Sequence, residues 1–273
     1  MEATTFDLAS TYRVTPATAE QYRREGHILL RGVVSPEEIE YFRSLIIAFA
    51  EEVMHSHGSR VQLEDWTTLF TRVTNVWRRS EAIREFVFAT RFARLAAQLM
   101  GVRAVRLYHD QVLLKDPGRS RTPWHKDHFY CPLATANIVK MSVALSDISR
   151  DMGPMVFVTG SHQGELFPEA PFSLNTQELF TQAIRSHKIP TVTHIMNAGD
   201  AVFHSGDILH SAMENISTRR RESISIVYYA DTTLVRVPTD EHKIAGMKEF
   251  LPGLSAGDVA ASDLNPLLYE AGE

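Results

Sequence analysis

From residue 102 onward, closely spaced turn signals cut the chain into short β-prone runs. That punctuation limits the available folds more than any other feature. The runs 102–114, 124–131, 138–145, 155–158, 189–196, 201–204 and 223–229 are rich in β-branched, aromatic and aliphatic residues. These types fit a pleated, half-buried surface. Between them stand Asp116-Pro117-Gly118, Asp151-Met152-Gly153-Pro154, Gly160-Ser161-His162, Asn197-Ala198-Gly199-Asp200 and Ser205-Gly206-Asp207. Glycine there allows a positive φ, and proline and Asx residues favour tight turns. One helical insert, at about 176–186, interrupts the strands.

The first third of the chain reads as helical. Thr15 and Pro16 look like an N-cap and first helical position, with the helix stopping at Gly26. A short apolar strand follows over 27–34, and then Ser35-Pro36-Glu37-Glu38 forms a capping box. Ile39, Phe42, Leu45, Ile46, Phe49 and Val53 recur at helical spacing, which is the pattern of a helix packing one face on a core. A further helical region over 80–100 ends at Gly101, and the tail carries one more over 242–250. A helical front followed by many short strands indicates a mainly β fold with flanking helices, a jelly-roll barrel with helices on one sheet. We expect one domain over 1–273, with a helical front of about 15–101, a barrel core of about 102–231 and a tail over 232–273.

Composition removes several classes of function. A formal net charge of −5 argues against general nucleic-acid binding, and Arg78-Arg79 and Arg219-Arg220-Arg221 are too short to reverse it. Cys131 is the single cysteine, so there is no intramolecular disulfide and a thiolate metal site is disfavoured. The first residues lack the basic-then-apolar pattern of a secretion signal, and no run approaches a membrane span. A cytoplasmic protein is the expectation, with a small molecule rather than a nucleic acid or membrane as partner.

The chemistry centres on Pro123-Trp124-His125-Lys126-Asp127-His128. In an extended segment residues i and i+2 share a face, so His125 and Asp127 project together and His128 points away. One more histidine would complete a two-His, one-carboxylate facial triad. Such a triad leaves one face of a non-haem Fe(II) ion open. His204 and His210, both in the strand-rich half, compete for the third place.

Four ordered motifs extend this reading: Pro123-Trp124-His125-Lys126-Asp127, then Gly153-Pro154 through Gly160-Ser161-His162, then Gly199-Asp200, then His210 followed by Arg221. In these the chain resembles the phytanoyl-CoA dioxygenase family of Fe(II)/2-oxoglutarate-dependent oxygenases over roughly residues 15–235. The resemblance implies a double-stranded β-helix (cupin-like jelly roll) and the cofactors Fe(II), 2-oxoglutarate and O2. It implies His125, Asp127 and His210 as metal ligands, favouring His210 over His204. His109, His162 and His194 are left to structural or surface roles. Arg221 and Ser223, on one face of the last long strand, would hold the distal carboxylate of 2-oxoglutarate. Gln111 and Arg72 align with polar cosubstrate contacts. Many family members carry an aromatic residue on the strand that here has Val143, so a stacking contact is missing at that position.

Such an enzyme would oxidise a C–H bond of a small organic molecule, most simply by hydroxylation, releasing succinate and CO2. Desaturation and ring formation are family variants, and a biosynthetic tailoring role is the expectation. Trp77, Phe129, Tyr130, Phe172 and Leu174 are the candidate substrate wall. A halogenase would lack the carboxylate that Asp127 provides. The competing reading is a non-catalytic jelly roll that binds a small ligand.

Overall fold

The computed structural model describes residues 6–56, 69–171 and 173–272. Two antiparallel sheets face each other. In the larger, β1 (His27–Leu30), β8 (Ala201–Ser205), β5 (Ile138–Ala144), β10 (Arg221–Ala230), β3 (Ala104–Lys115) and β11 (Leu267–Glu270) lie in that order, and β2 (Thr71–Thr74) also pairs with β3. In the smaller, the order is β4 (Thr122–His125), β9 (His210–Ala212), β6 (Met155–Val158) and β7 (Thr191–Thr193). This is the jelly roll that the punctuated sequence requires.

Helices cover the outer face of the large sheet. The apolar stripes of α2 (Pro36–Ser56), α3 (Glu81–Val87) and α4 (Thr90–Met100) bury Phe42, Ile46, Phe86, Phe92 and Leu99 against Val112, Met141, Phe203 and Ile226. α1 (Pro16–Glu25) adds Tyr22 to the same cluster. Thr15 caps α1 and accepts from Thr18 N–H at 3.1 Å, and Gly26 ends it with φ at 79°. Ser35 and Glu38 form the expected reciprocal cap at 2.8 and 3.2 Å. Glu38 also receives a buried fork from Arg91 of α4 at 2.8 and 2.9 Å, which ties the first turn of α2 to α4.

The small sheet has its own cover. α5 (Leu174–Ser186) buries Phe180 and Ile184 against Trp124, Val158 and Leu209. Trp124 is held at both nitrogens, its backbone N–H donating to Gln177 at 2.9 Å and its indole to Thr181 at 3.2 Å. α6 (Glu241–Phe250) closes one end of the barrel. It approaches so closely that a Cβ at Gly246 would lie 2.7 Å from the carbonyl oxygen of Tyr130.

Three expectations need correction. The helix expected over 80–100 is two helices, because Ser80 caps α3 and the chain turns at Phe88 and Ala89 before α4. The strand expected over 124–131 stops at His125, and Asp127–Tyr130 is a 3-10 turn. The strand expected over 189–196 shortens to Thr191–Thr193. β2, β9 and β11 are only three or four residues long. Strands that short carry too little periodicity to stand out locally. Among the described residues no helix is long and apolar enough to cross a membrane.

A bulge in β3 decides what faces the interior. Val227 of β10 pairs with His109 and Tyr228 with Leu107, so Tyr108 is the extra residue. The insertion shifts the parity of the strand. Leu107 and Val112 therefore both meet the helices, while His109, Gln111, Leu113 and Lys115 share the opposite, inner face.

Candidate active site

His125 ends β4 and His210 begins β9, and the two are directly cross-strand partners. Asp127 follows from the 3-10 turn, so the turn rather than strand alternation brings it beside them. His125 Nε2 lies 3.7 Å from Asp127 Oδ1, and His210 Nε2 lies 3.8 Å from Asp127 Oδ2. One ligand atom from each residue falls within 4.8 Å of the others. Each histidine donates its Nδ1–H to a backbone carbonyl, His125 to Pro123 at 2.9 Å and His210 to Ile208 at 3.1 Å. That fixes the tautomer and leaves both Nε2 lone pairs aimed into the cluster, as metal ligation requires.

The charge states agree with that role. Burial, reinforced by the neighbouring histidine, pushes His125 down to about 3, and burial likewise lowers His210 to about 3. Both imidazoles are neutral at pH 7. Burial works to raise Asp127, but Lys140, His210 and His204 outweigh it and hold the carboxylate well below its ordinary range. Two neutral imidazoles and one carboxylate, with a free face, suit Fe(II).

His204 sits on β8, fully buried, with Nε2 3.1 Å from Asp127 Oδ2. It touches the carboxylate from behind and is not one of the three clustered ligand atoms. Lys140 of β5 reaches the same oxygen at 3.1 Å. Neither residue stands in a motif, and only the neighbouring strands β5 and β8 bring them together. His128 turns away, contacting Asp207 at 2.8 Å and Leu133 O at 3.2 Å. His162 contacts Arg23 O at 2.9 Å, and His194 pairs with His27 at 3.0 Å. His109 is no surface residue: it is buried on the inner face and stacks on Phe250 at 4.4 Å.

Between the sheets lies a small cavity of about 20 Å³ whose walls include Leu113, Ser142, Phe157, Met196, Arg221 and Ser223. Phe157 also stacks on the His210 ring, with centroids 6.0 Å apart, so the void adjoins the histidine cluster. Arg221 is 6% exposed, donates Nη1–H to Gly153 O at 2.5 Å, and leaves Nε–H without a partner. Gly153 has a positive φ of 73° and packs so closely on the 213–215 backbone that a Cβ would meet Met213 O at 2.5 Å. Directly across the strand pair is Lys115, fully buried, its Nζ also unpartnered. Among the described residues no carboxylate forms an ion pair with either cation. Two buried cations without an anion are costly, so the pair marks an anion site. Lys115 was not anticipated; the local signal was its parity with Gln111 and Leu113, but the expected strand stopped one residue short of it.

Ser223 Oγ donates weakly to Leu113 O at 3.4 Å, leaving it able to turn to a ligand. Gln111 is buried opposite Ser225 and Thr74. Arg72 is exposed on β2, opposite Leu113, and its charge is one of those lowering His109. Val143 belongs to the helix-side core with its partner Ile224. It also borders the cavity, as do its strand neighbours Ser142 and Ala144.

Of the expected substrate wall, Phe129 and Tyr130 lie on the 3-10 turn against His242 of α6, with ring centroids 5.9 and 5.5 Å away. Lys243 sits over Phe129 at 4.7 Å. Trp77 is a correction: it packs on Phe88 at 5.0 Å under Arg84, on the helix side of the sheet. Phe172 lies outside the described residues, as does the side chain of Leu174.

The family model described as "Phytanoyl-CoA dioxygenase (PhyH)" matches residues 22–223. An ectoine dioxygenase of Nocardia farcinica is 25% identical over 255 residues, spanning 85% of this chain and 84% of that one. Among solved structures, the non-heme alpha-ketoglutarate-dependent carbocyclase SnoK from nogalamycin biosynthesis superposes with a TM-score of 0.76 at 25% identity, covering 93% of this chain and 96% of that one. The epimerase SnoN, in complex with Fe3+, alpha-ketoglutarate and nogalamycin RO, gives 0.73 at 29% identity over 92% and 97%. A match over most of the chain, on a jelly roll with a His-Asp-His cluster beside a cationic void, shows that the chain belongs to the phytanoyl-CoA dioxygenase family and is an Fe(II)/2-oxoglutarate-dependent dioxygenase.

Proposed function

We propose that His125, Asp127 and His210 hold Fe(II), that Arg221, Ser223 and Lys115 hold the distal carboxylate of 2-oxoglutarate, and that the enzyme oxidises a C–H bond in a small biosynthetic intermediate. The observation that carries the proposal is the commitment of both Nδ1–H groups to backbone carbonyls, which presents two Nε2 lone pairs to one carboxylate. Bound iron with 2-oxoglutarate and O2 supplies the oxidising chemistry, with succinate and CO2 as coproducts. The chain's part is to position and shield. The guanidinium and ammonium anchor one end of the cosubstrate, and Phe157, which packs on His27 and His204, forms part of the cavity wall. Gln111 lies deeper on β3, and Arg72 stands at the exposed sheet edge near His109.

Phe129, Tyr130 and His242 form an aromatic cluster beside the metal ligands, where α6 packs on the 3-10 turn, and a ring-bearing substrate would sit against it. A tailoring role is supported by two relatives that belong to nogalamycin biosynthesis, a carbocyclase and an epimerase. Hydroxylation is the default outcome, and ring formation or epimerisation stands as a variant. The lone Cys131, buried, suits a reducing cytoplasm. In the test, protein is titrated anaerobically with Fe(II) and 2-oxoglutarate, the visible charge-transfer band is followed, and candidate substrates are screened by succinate release. Asp127→Ala and His210→Ala should each abolish the band and the turnover. A full band in either variant refutes the ligand assignment.

A further inference from the structure

We infer that Lys140 and His204 form a two-donor lock on one oxygen of Asp127, forcing that carboxylate to offer a metal only its other oxygen. The inference rests on the ligand reading above and adds a role for two residues outside it.

Asp127 Oδ2 accepts from Lys140 Nζ and from His204 Nε2, each at 3.1 Å. A carboxylate oxygen has two in-plane lone pairs, so two donors saturate it. Oδ1 carries no hydrogen bond among the described residues and lies 3.7 Å from His125 Nε2; His210 Nε2 is nearer to Oδ2, at 3.8 Å, which is beyond hydrogen-bond distance and leaves the two donors as the partners of that oxygen. Both donors are built in: His204 is fully buried and Lys140 is 8% exposed. They are cross-strand neighbours on β8 and β5, so the sheet register fixes their spacing. A tilted ring contact with Phe157, centroids 5.3 Å apart, packs against the His204 ring. Its Nδ1 has no partner, so the ring has no competing bond to satisfy.

The consequence is a count of coordination positions. A chelating carboxylate takes two sites on an octahedral ion and, with two histidines, leaves two. A carboxylate bound through one oxygen leaves three, enough for a chelating 2-oxo acid and O2 together. Lys140 and His204 are therefore positioning residues that keep the third site open. The lysine charge also opposes a dication, so the lock lowers bare metal affinity in exchange for an open site.

The test separates metal binding from cosubstrate binding on intact protein. Mn(II) affinity is measured by calorimetry, then 2-oxoglutarate affinity on the Mn(II)-loaded protein. The visible Fe(II)–2-oxoglutarate band is recorded anaerobically. Lys140→Met should bind metal as tightly as the parent or more tightly, while 2-oxoglutarate weakens by about tenfold, the value of one strong hydrogen bond, and the band shifts or fades. His204→Phe, which keeps the ring and removes the donor, should show the same split, and Lys140→Arg should restore parent behaviour. Lys140→Gln retains a neutral donor and serves if the methionine variant does not fold. Metal and cosubstrate weakening together would assign these residues to scaffolding, and no change in either would dissolve the lock. Asp127→Ala distinguishes the two levels: undiminished metal affinity there overturns the ligand reading itself, whatever Lys140→Met does.

Discussion

Replacing Lys115 with methionine should stabilise the cosubstrate-free protein while weakening its hold on 2-oxoglutarate. The stem length is kept and the charge is lost. Burial, with Arg221 and Arg121 nearby and only partly offset by Glu214, which forms no ion pair with it, pushes the Lys115 ammonium from its ordinary 10.5 down to about 7. The folded chain thus binds fewer protons than the unfolded chain between pH 7 and 10.5, so its stability rises with pH across that window. At about 1.4 kcal/mol per tenfold in proton affinity, the buried cation costs the fold up to about 4 kcal/mol at pH 7 and about 1 kcal/mol at pH 9.5. Relaxation of the site reduces the realised gain in Lys115→Met to roughly 2–4 kcal/mol at neutral pH. Urea unfolding of metal-free protein at both pH values measures it. Calorimetry with Mn(II) should show 2-oxoglutarate binding weakened by about tenfold or more, from loss of a charge-assisted hydrogen bond. A variant less stable than the parent at pH 7, or a difference independent of pH, would refute the argument that this lysine is buried without an anion.

Arg221→Lys cannot reproduce the planar fork, so 2-oxoglutarate affinity should fall by about ten- to a hundredfold in a titration of Mn(II)-loaded protein. Arg219→Lys should leave it unchanged, because Arg219 is exposed and contacts Met152; the reverse pattern would move the anchor by one step. Arg91→Ala strands the buried Glu38 carboxylate and should cost about 3–5 kcal/mol in urea unfolding, with little effect if the pair is dispensable.

The helical caps, the turn glycines and the His-x-Asp motif are legible because each depends on neighbours a few residues away. Thr15, Ser35 and Gly26 cap as read, and the inward parity of Arg221 and Ser223 follows from the two-residue period of one strand. That period misleads once a strand ends or bulges. Asp127 joins His125 through a 3-10 turn, and Tyr108 reverses the parity of β3 ahead of His109, while Lys115 lies one residue beyond the expected strand end.

The sequence by itself determined the punctuated strands, the family and a short roster of candidate metal-binding side chains. It left His204 and His210 as rivals. Tertiary structure gave them different places, one within the ligand cluster and one behind the carboxylate, because the pairing of β9 with β4 and of β8 with β5 joins segments distant along the chain. It also moved Trp77 to the helix side of the sheet and set Ser142 beside Ser225 at the wall of the cavity. Register between strands is fixed by packing the whole core, and no local window of sequence contains that information.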